Sequence, residues 1–258
     1  MERFTTSDGV AIAYHRFAAS GPAVGGRPPV VLQHGFAANT DVNWVAPGVV
    51  AALTAAGRDV VAVDARGHGR SDAPHDPALY GEARMSRDLV ELFDHLGLAS
   101  LDLVGYSMGA IISVITAAAE PRVRRMVIGG IGGAVADFDG TPLRHLDRSA
   151  ITAALEADDV ATVTDPGARA FRRFADSTGA DRLALAAQMR GAHHAAIPLG
   201  DINAPTVLLV GDADPLANGA ERLVAAIPGA ALRVLHGDHL SVLGDPAFAP
   251  AVVDFLAG

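Results

Sequence analysis

Cysteine is absent from this 258-residue chain. That excludes disulfides, thiolate nucleophiles and cysteine-ligated zinc, and it removes cysteine as a guide to the redox compartment. An excess of positive charge is missing too. The 20 Lys and Arg face 29 Asp and Glu, for a net charge of −9. No dense basic run stands out, so neither nucleic acid nor an anionic membrane surface is an expected partner. Long apolar runs are lacking: the longest, around Ala110 to Ala119, falls well short of the ~20 residues a membrane span needs. The opening Met1-Glu2-Arg3-Phe4-Thr5-Thr6 has no apolar stretch of the kind a signal peptide carries. There is no internal repeat and no low-complexity tract. These absences lead to the expectation of a soluble, cytoplasmic protein acting on a small-molecule substrate.

What is present is apolar. Half of the residues are hydrophobic and 19% are charged, enough for the core of one large α/β domain or two small ones. Glu2 to Thr6 and Ala11 to Phe17 read as strands around Asp8-Gly9, a strong hairpin turn. Short apolar runs at Val30 to Gln33, Val60 to Val63, Leu101 to Val104, Val123 to Ile128, Thr206 to Val210 and Ala231 to Leu235 read as buried parallel strands. Between them lie helices over Val45 to Ala56, Glu82 to Leu96, Ala110 to Ala119, Gly219 to Ile227 and Pro246 to Leu256. Met85, Leu89, Leu92, Phe93 and Leu96 have helical spacing. From about Ala134 to Leu199 the strand rhythm stops, and amphipathic pieces appear at Arg148 to Ala157, Ala168 to Asp176 and Arg182 to Met189. The pattern predicts an α/β fold: an eight-stranded, mostly parallel sheet with helices on both faces, an antiparallel hairpin at one edge, and a helical insertion.

The chemistry centres on Gly105-Tyr106-Ser107-Met108-Gly109. A strand precedes this G-x-S-x-G pattern and a small-residue helix follows it, the context in which it means a nucleophile elbow. The serine sits at the tip of a tight turn, with glycines two before and two after to make room. The following helix N-terminus points N–H groups at any negative charge forming there. A serine nucleophile needs a base and a group to orient that base. His239, in the loop after the last strand, is the candidate base, and His236, closer to that strand, is its rival. Asp214, in Gly211-Asp212-Ala213-Asp214-Pro215, is the candidate acid, with Asp212 in reserve. Pro215 is expected to hold Asp214 extended instead of letting it fold back as a cap. Gly211 suggests that the strand has already ended. Ser, Asp and His then follow in the chain order of this elbow architecture. In His34-Gly35-Phe36 the glycine lets the Phe36 N–H face the serine. With the Met108 N–H it would make an oxyanion hole.

Two features carry blander readings. Gly67-His68-Gly69-Arg70-Ser71-Asp72 is glycine-rich but lacks the Lys-Ser/Thr ending of a phosphate loop, and a structural turn beside the site is expected. His193-His194 point in different directions on any regular element and have no evident third ligand, so no metal site is expected.

Taken together, His34-Gly35-Phe36, Gly67 to Asp72, Gly105 to Gly109, the Gly211 to Asp214 turn and Asp238-His239 resemble the α/β-hydrolase superfamily in its serine-nucleophile branch. The resemblance covers nearly the whole chain. It implies an enzyme with a core over 1–133 and 200–258 and a helical lid over 134–199. It implies a Ser107, Asp214, His239 triad, oxyanion amides at Phe36 and Met108, and no metal or organic cofactor. Phe138, close after the last strand before the insertion, and Tyr106 are the candidate substrate contacts. The expected reaction is cleavage of a small or medium, largely apolar carboxylic ester, thioester or lactone. C–C hydrolysis of a diketone-like or dienoate substrate, or cofactor-free perhydrolysis, would use the same triad. A non-catalytic ligand-binding protein on this fold is a distant alternative. The serine departs from the dehalogenase and epoxide-hydrolase branches, which have aspartate at the elbow.

Overall fold

The computed structural model describes residues 1–21, 26–136, 147–191 and 195–258. Strands β1 (Glu2–Thr5) and β2 (Ala11–Phe17) form the expected hairpin, with Gly9 at positive φ in the turn. Then follow β3 (Val30–Gln33), β4 (Val60–Asp64), β5 (Leu101–Tyr106), β6 (Val123–Gly129), β7 (Thr206–Gly211) and β8 (Ala231–Leu235). They make one sheet in the order β1-β2-β4-β3-β5-β6-β7-β8. β2 runs antiparallel to β1 and β4, and the other pairs are parallel.

The apolar alternation of the strands feeds two cores, one on each face. Val31, Leu103, Ile128 and Leu208 point to the side covered by α2 (Glu82–His95), α3 (Met108–Ala119) and α7 (Ala220–Ala226). Leu32, Val104, Val127 and Leu209 point to the side covered by α1 (Val49–Ala55) and α8 (Phe248–Ala257). Successive residues of a strand face opposite ways, so a strand buried on both faces must be apolar throughout. Between β6 and β7 lie α4 (Arg148–Glu156), α5 (Pro166–Thr178) and α6 (Arg182–Arg190), which pack together through Ile151, Leu155, Ala175, Leu185 and Met189. Asp147, Asp165 and Asp181 each cap one of these helices by accepting backbone N–H bonds.

Some boundaries differ from the sequence reading. The helix expected from Val45 starts at Val49 instead. Pro47 and Gly48 interrupt it: proline has no N–H to donate, and Gly48 turns to φ +83°. The preceding Asp41–Val45 forms a π-type turn of its own. The helix expected from Pro246 starts at Phe248. β7 includes Gly211, so that glycine is the last residue of the strand and not a sign that it has already ended.

At the end of the sheet where the parallel strands begin, one ion pair is sealed inside. Asp102 is fully buried and Arg58 nearly so. Arg58 Nη2 donates to Asp102 Oδ2 at 2.5 Å and to the Pro28 carbonyl at 2.7 Å, while Nη1 reaches the Leu256 carbonyl. Arg124 also donates to Asp102. The cluster ties the strand starts to the end of α8. Removing one partner of a buried pair leaves an uncompensated charge. Asp102→Ala should therefore lower unfolding stability by about 3–5 kcal/mol, read from the urea midpoint. The double variant Arg58→Met, Asp102→Leu should recover most of that loss. A double variant no more stable than the single one would refute this account.

Candidate active site

Ser107 is the single residue between β5 and α3. Its backbone lies at φ 54°, ψ −118°, a conformation rare for a residue with a Cβ. A Cβ at Gly105 would collide with the Ser113 hydroxyl and the Gly109 carbonyl, and one at Gly109 with the Gln33 and His34 carbonyls. The two glycines therefore let β5, α3 and the end of β3 come together around the serine. The turn is pinned by the Ser107 N–H, which donates to the Gly129 carbonyl at 2.8 Å.

The loops after β7 and β8 reach the serine from the same sheet edge. His239 Nε2 lies 3.0 Å from Ser107 Oγ, and His239 Nδ1 lies 2.9 Å from Asp214 Oδ2. The Asp214 side chain is wholly buried and that of His239 is 20% exposed. Asp214 does fold back as a cap, contrary to the reading from Pro215. Its Oδ1 accepts the Leu216 N–H at 2.9 Å, at the start of the one-turn helix Pro215–Ala217. A carboxylate has two oxygens, so capping with one leaves the other for His239.

The rival pair, Asp212 and His236, makes the same kind of contact at the surface. Asp212 Oδ2 lies 3.1 Å from His236 Nδ1, and its Oδ1 accepts the Gly237 N–H at 2.9 Å. The two side chains are 49% and 90% exposed and face solvent. The Gly237 N–H and His236 hold the Asp212 carboxyl below its usual range, and Asp212 raises His236.

Phe36 and Met108 both line the cavity beside Ser107. Met108 is the first residue of α3, where an N–H has no partner within the helix. Several residues that the sequence reading did not single out hold the Phe36 loop. Asn43, in the π-type turn, accepts the Gly35 N–H at 2.8 Å. Ala37 is at φ 58°, the other non-glycine residue with positive φ among the described residues. Its N–H donates to His68 Nε2 at 3.1 Å and its carbonyl accepts from Thr178 of α5 at 2.8 Å. His34 Nε2 accepts the Ala65 N–H at 3.0 Å. Each histidine uses its Nδ1–H on a backbone carbonyl, Gly35 for His34 and Arg66 for His68. The partners lie 8 residues away for Asn43, 31 for His34 and His68, and 141 for Thr178, beyond the reach of a local sequence pattern. The Gly67–Asp72 stretch is a turn closed on itself and on β2, with Gly67 N–H on the Asp72 carbonyl and Asp72 Oδ2 accepting the Ala11 N–H.

The cavity measures about 280 Å³. Its walls are Ile111 of α3, Phe171 and Phe174 of α5, Met189 of α6, and Leu216 and Leu240 beside His239. Tyr106 lines it too, and its hydroxyl donates to the His239 carbonyl at 2.6 Å, tying the histidine loop to the elbow. Burial drives the Tyr106 phenol well above its usual range and keeps it a donor. Phe138 and the His193-His194 pair lie outside the described residues. Among the described residues, no cluster of three or more His, Asp or Glu could hold a metal ion, and no helix is long and apolar enough to cross a membrane.

His68 is wholly buried, and burial, then repulsion from His34, lowers its pKa from 6.5 to about 3. The folded ring therefore stays neutral at a pH where the unfolded ring binds a proton. A depressed pKa contributes stability that is present above pH 6.5 and is lost as the pH falls toward 3. Between these limits the urea-derived stability should drop by up to about 1.4 kcal/mol per pH unit from this residue. His68→Gln should remove that part of the slope, and an unchanged slope would refute the assignment.

The model of the alpha/beta hydrolase fold family matches residues 28–150. An sn-1-specific diacylglycerol lipase of Mus musculus is 38% identical over 135 residues, covering 52% of this chain and 40% of that protein. This chain thus spans under half the length of that relative. A protein of Variovorax paradoxus named for carbamate hydrolysis is 31% identical over 228 residues, covering 80% of this chain and 84% of that one. A hydrolase structure from Pseudomonas aeruginosa is similar with a TM-score of 0.77 and 28% identity, over 100% of this chain and 98% of the other. The likeness to the Variovorax protein extends over four fifths of this chain in sequence, the likeness to the Pseudomonas structure over its whole length in shape, and this chain belongs to the alpha/beta hydrolase fold family.

Proposed function

We propose that this hydrolase cleaves small or medium, largely apolar carboxylic esters, thioesters or lactones through an acyl-enzyme on Ser107. The observation that carries this reading is the hydrogen-bonded line from Asp214 through His239 to Ser107, with links of 2.9 and 3.0 Å. Ser107 Oγ attacks the carbonyl carbon while His239 Nε2 takes its proton. Asp214 holds the Nδ1–H and stabilises the imidazolium. The Phe36 and Met108 N–H groups receive the oxyanion, each worth on the order of 10²–10³ in rate. As the tetrahedral adduct collapses, the bond to the leaving oxygen or sulfur breaks, and that atom takes the proton from His239. Water then attacks the acyl carbon as His239 takes one of its protons, and Ser107 leaves with that proton.

Two further observations support the reading. The mouse relative is named as a diacylglycerol lipase, and acylglycerol esters and carbamates are both opened by attack at a carbonyl carbon. The cavity walls are largely apolar, as an apolar acyl group requires. We read residues 134–199 as a lid on a core formed by 1–133 and 200–258. In support, α5 and α6 bring Phe171, Phe174 and Met189 to the cavity.

A fluorophosphonate should label Ser107, and Ser107→Ala should abolish labelling and lower kcat by at least ~10³. Asp214→Asn should lower kcat by roughly 10³–10⁴, against at most about tenfold for Asp212→Asn. Labelling at another serine, or the opposite order of the two aspartates, would move the roles elsewhere. Among p-nitrophenyl esters, apolar medium-chain acyl groups should react at least about tenfold faster than short charged ones. The reverse order would sink the apolar-acyl reading.

A further inference from the structure

Asn43, Glu82 and Gln188 are buried polar side chains that line this largely apolar cavity. Gln188, on α6, is only 3% exposed and lines the cavity. Its Nε2 donates to Met108 Sδ at 2.7 Å and lies 3.8 Å from Met85 Sδ. A thioether is a weak acceptor. Gln188 Oε1 has no hydrogen-bond partner among the described residues. The neighbours of Gln188 along the helix, Leu185, Ala186 and Met189, are buried apolar residues. A leucine or methionine at 188 would suit those surroundings, and a carbonyl buried without a donor lowers stability. Folding alone therefore does not account for an amide here.

The position of Gln188 says which part of a substrate it would meet. Met85 belongs to α2, which follows β4, and α6 packs on Tyr80 of the same connection through Ala184 and Ala187. In the sheet, β4 and β3 lie on one side of β5, while β7 and β8, which carry Leu216 and His239, lie on the other. His239 must hand its proton to the leaving atom, so the leaving group lies on the β7–β8 side. The acyl chain then extends from the oxyanion held by Met108 toward Gln188. A hydroxyl both donates and accepts, so it pairs with this amide in either rotation of its terminal group.

We infer that Gln188 is a specificity-determining residue that hydrogen-bonds a hydroxyl on the acyl chain, so that hydroxyacyl esters are preferred over plain alkanoates. This inference rests on the ester-cleaving reading above. The test compares the p-nitrophenyl esters of 3-hydroxyhexanoic and hexanoic acid. The unsubstituted enzyme should favour the hydroxy ester in kcat/KM by about tenfold or more, the scale of one buried hydrogen bond. In Gln188→Met that ratio should fall to about one. The Gln188→Met urea midpoint should be no lower than that of the unsubstituted protein. A lower midpoint with the ratio intact would mean that Gln188 only supports the fold. Gln188→Leu provides a second variant should methionine fail to fold. The affinities of the two methyl esters for Ser107→Ala, with and without Gln188→Met, give an arm that needs no turnover. If no ester is turned over, the reaction proposed above falls while this affinity ratio still decides the role of Gln188. An affinity or rate ratio that Gln188→Met leaves unchanged overturns the inference.

Discussion

The site depends on the backbone of Ser107. At φ 54° a residue with a Cβ stores strain of about 1–3 kcal/mol, and the surrounding structure must over-determine it. The constraints come from both sides. β5 lies inside the sheet, bonded to β3 and β6, and α3 buries Ile111, Ile112 and Val114 in the core. Neither can shift without opening one of the best-packed parts of the molecule. The Ser107 N–H on Gly129 and the glycines at 105 and 109 leave one way through the turn, and that way presents the hydroxyl above the strand ends.

A second strained residue, Ala37, sits in the facing loop, and buried neutral histidines hold that loop in shape. His68 gives its Nδ1–H to one backbone carbonyl and accepts the Ala37 N–H on Nε2. This works only in the neutral form, because an imidazolium has no lone pair to accept with. Burial enforces the neutral form by making the charged one costly. Thr178 binds the other side of Ala37, so the loop that presents the Phe36 N–H is linked directly to α5 and to the cavity wall it forms. The Tyr106 hydroxyl does the same for the histidine loop. Residues on each side of the serine in space are thus tied to the elbow or to each other by hydrogen bonds between side chains and backbone.

Much of the architecture was legible because period-2 burial in strands and period-3.6 burial in helices leave plain marks. Where a local rule competes with periodicity, boundaries moved: the apolar run from Val45 suggested a helix, but Pro47-Gly48 broke it and delayed α1 to Val49. The turn after β7 shows the opposite failure. Local chemistry suggested that Asp214 would either cap or orient a histidine, yet its two oxygens do both. Asn43, Ala37, Thr178 and Gln188 were not legible as site residues, since what distinguishes each is a partner that only folding brings near.

By itself the sequence determined the strand–helix rhythm, the glycine-flanked serine between β5 and α3, and the short set of histidines and aspartates that could serve it. These are local properties: a hydrophobic period, a steric need for glycine, a side-chain chemistry at a strand end. What only the tertiary structure decided is how the surroundings of the two Asp–His pairs differ. Asp212 and His236 directly follow β7 and β8, Asp214 and His239 lie three and four residues past them, and each pair closes a carboxylate–imidazole contact of about 3 Å. The difference is burial. Asp212 and His236 stay in water, while Asp214 is buried against His239, whose other ring nitrogen reaches Ser107. An ionic hydrogen bond is screened in water and strong where water is excluded, and exclusion of water belongs to the packing of the whole chain.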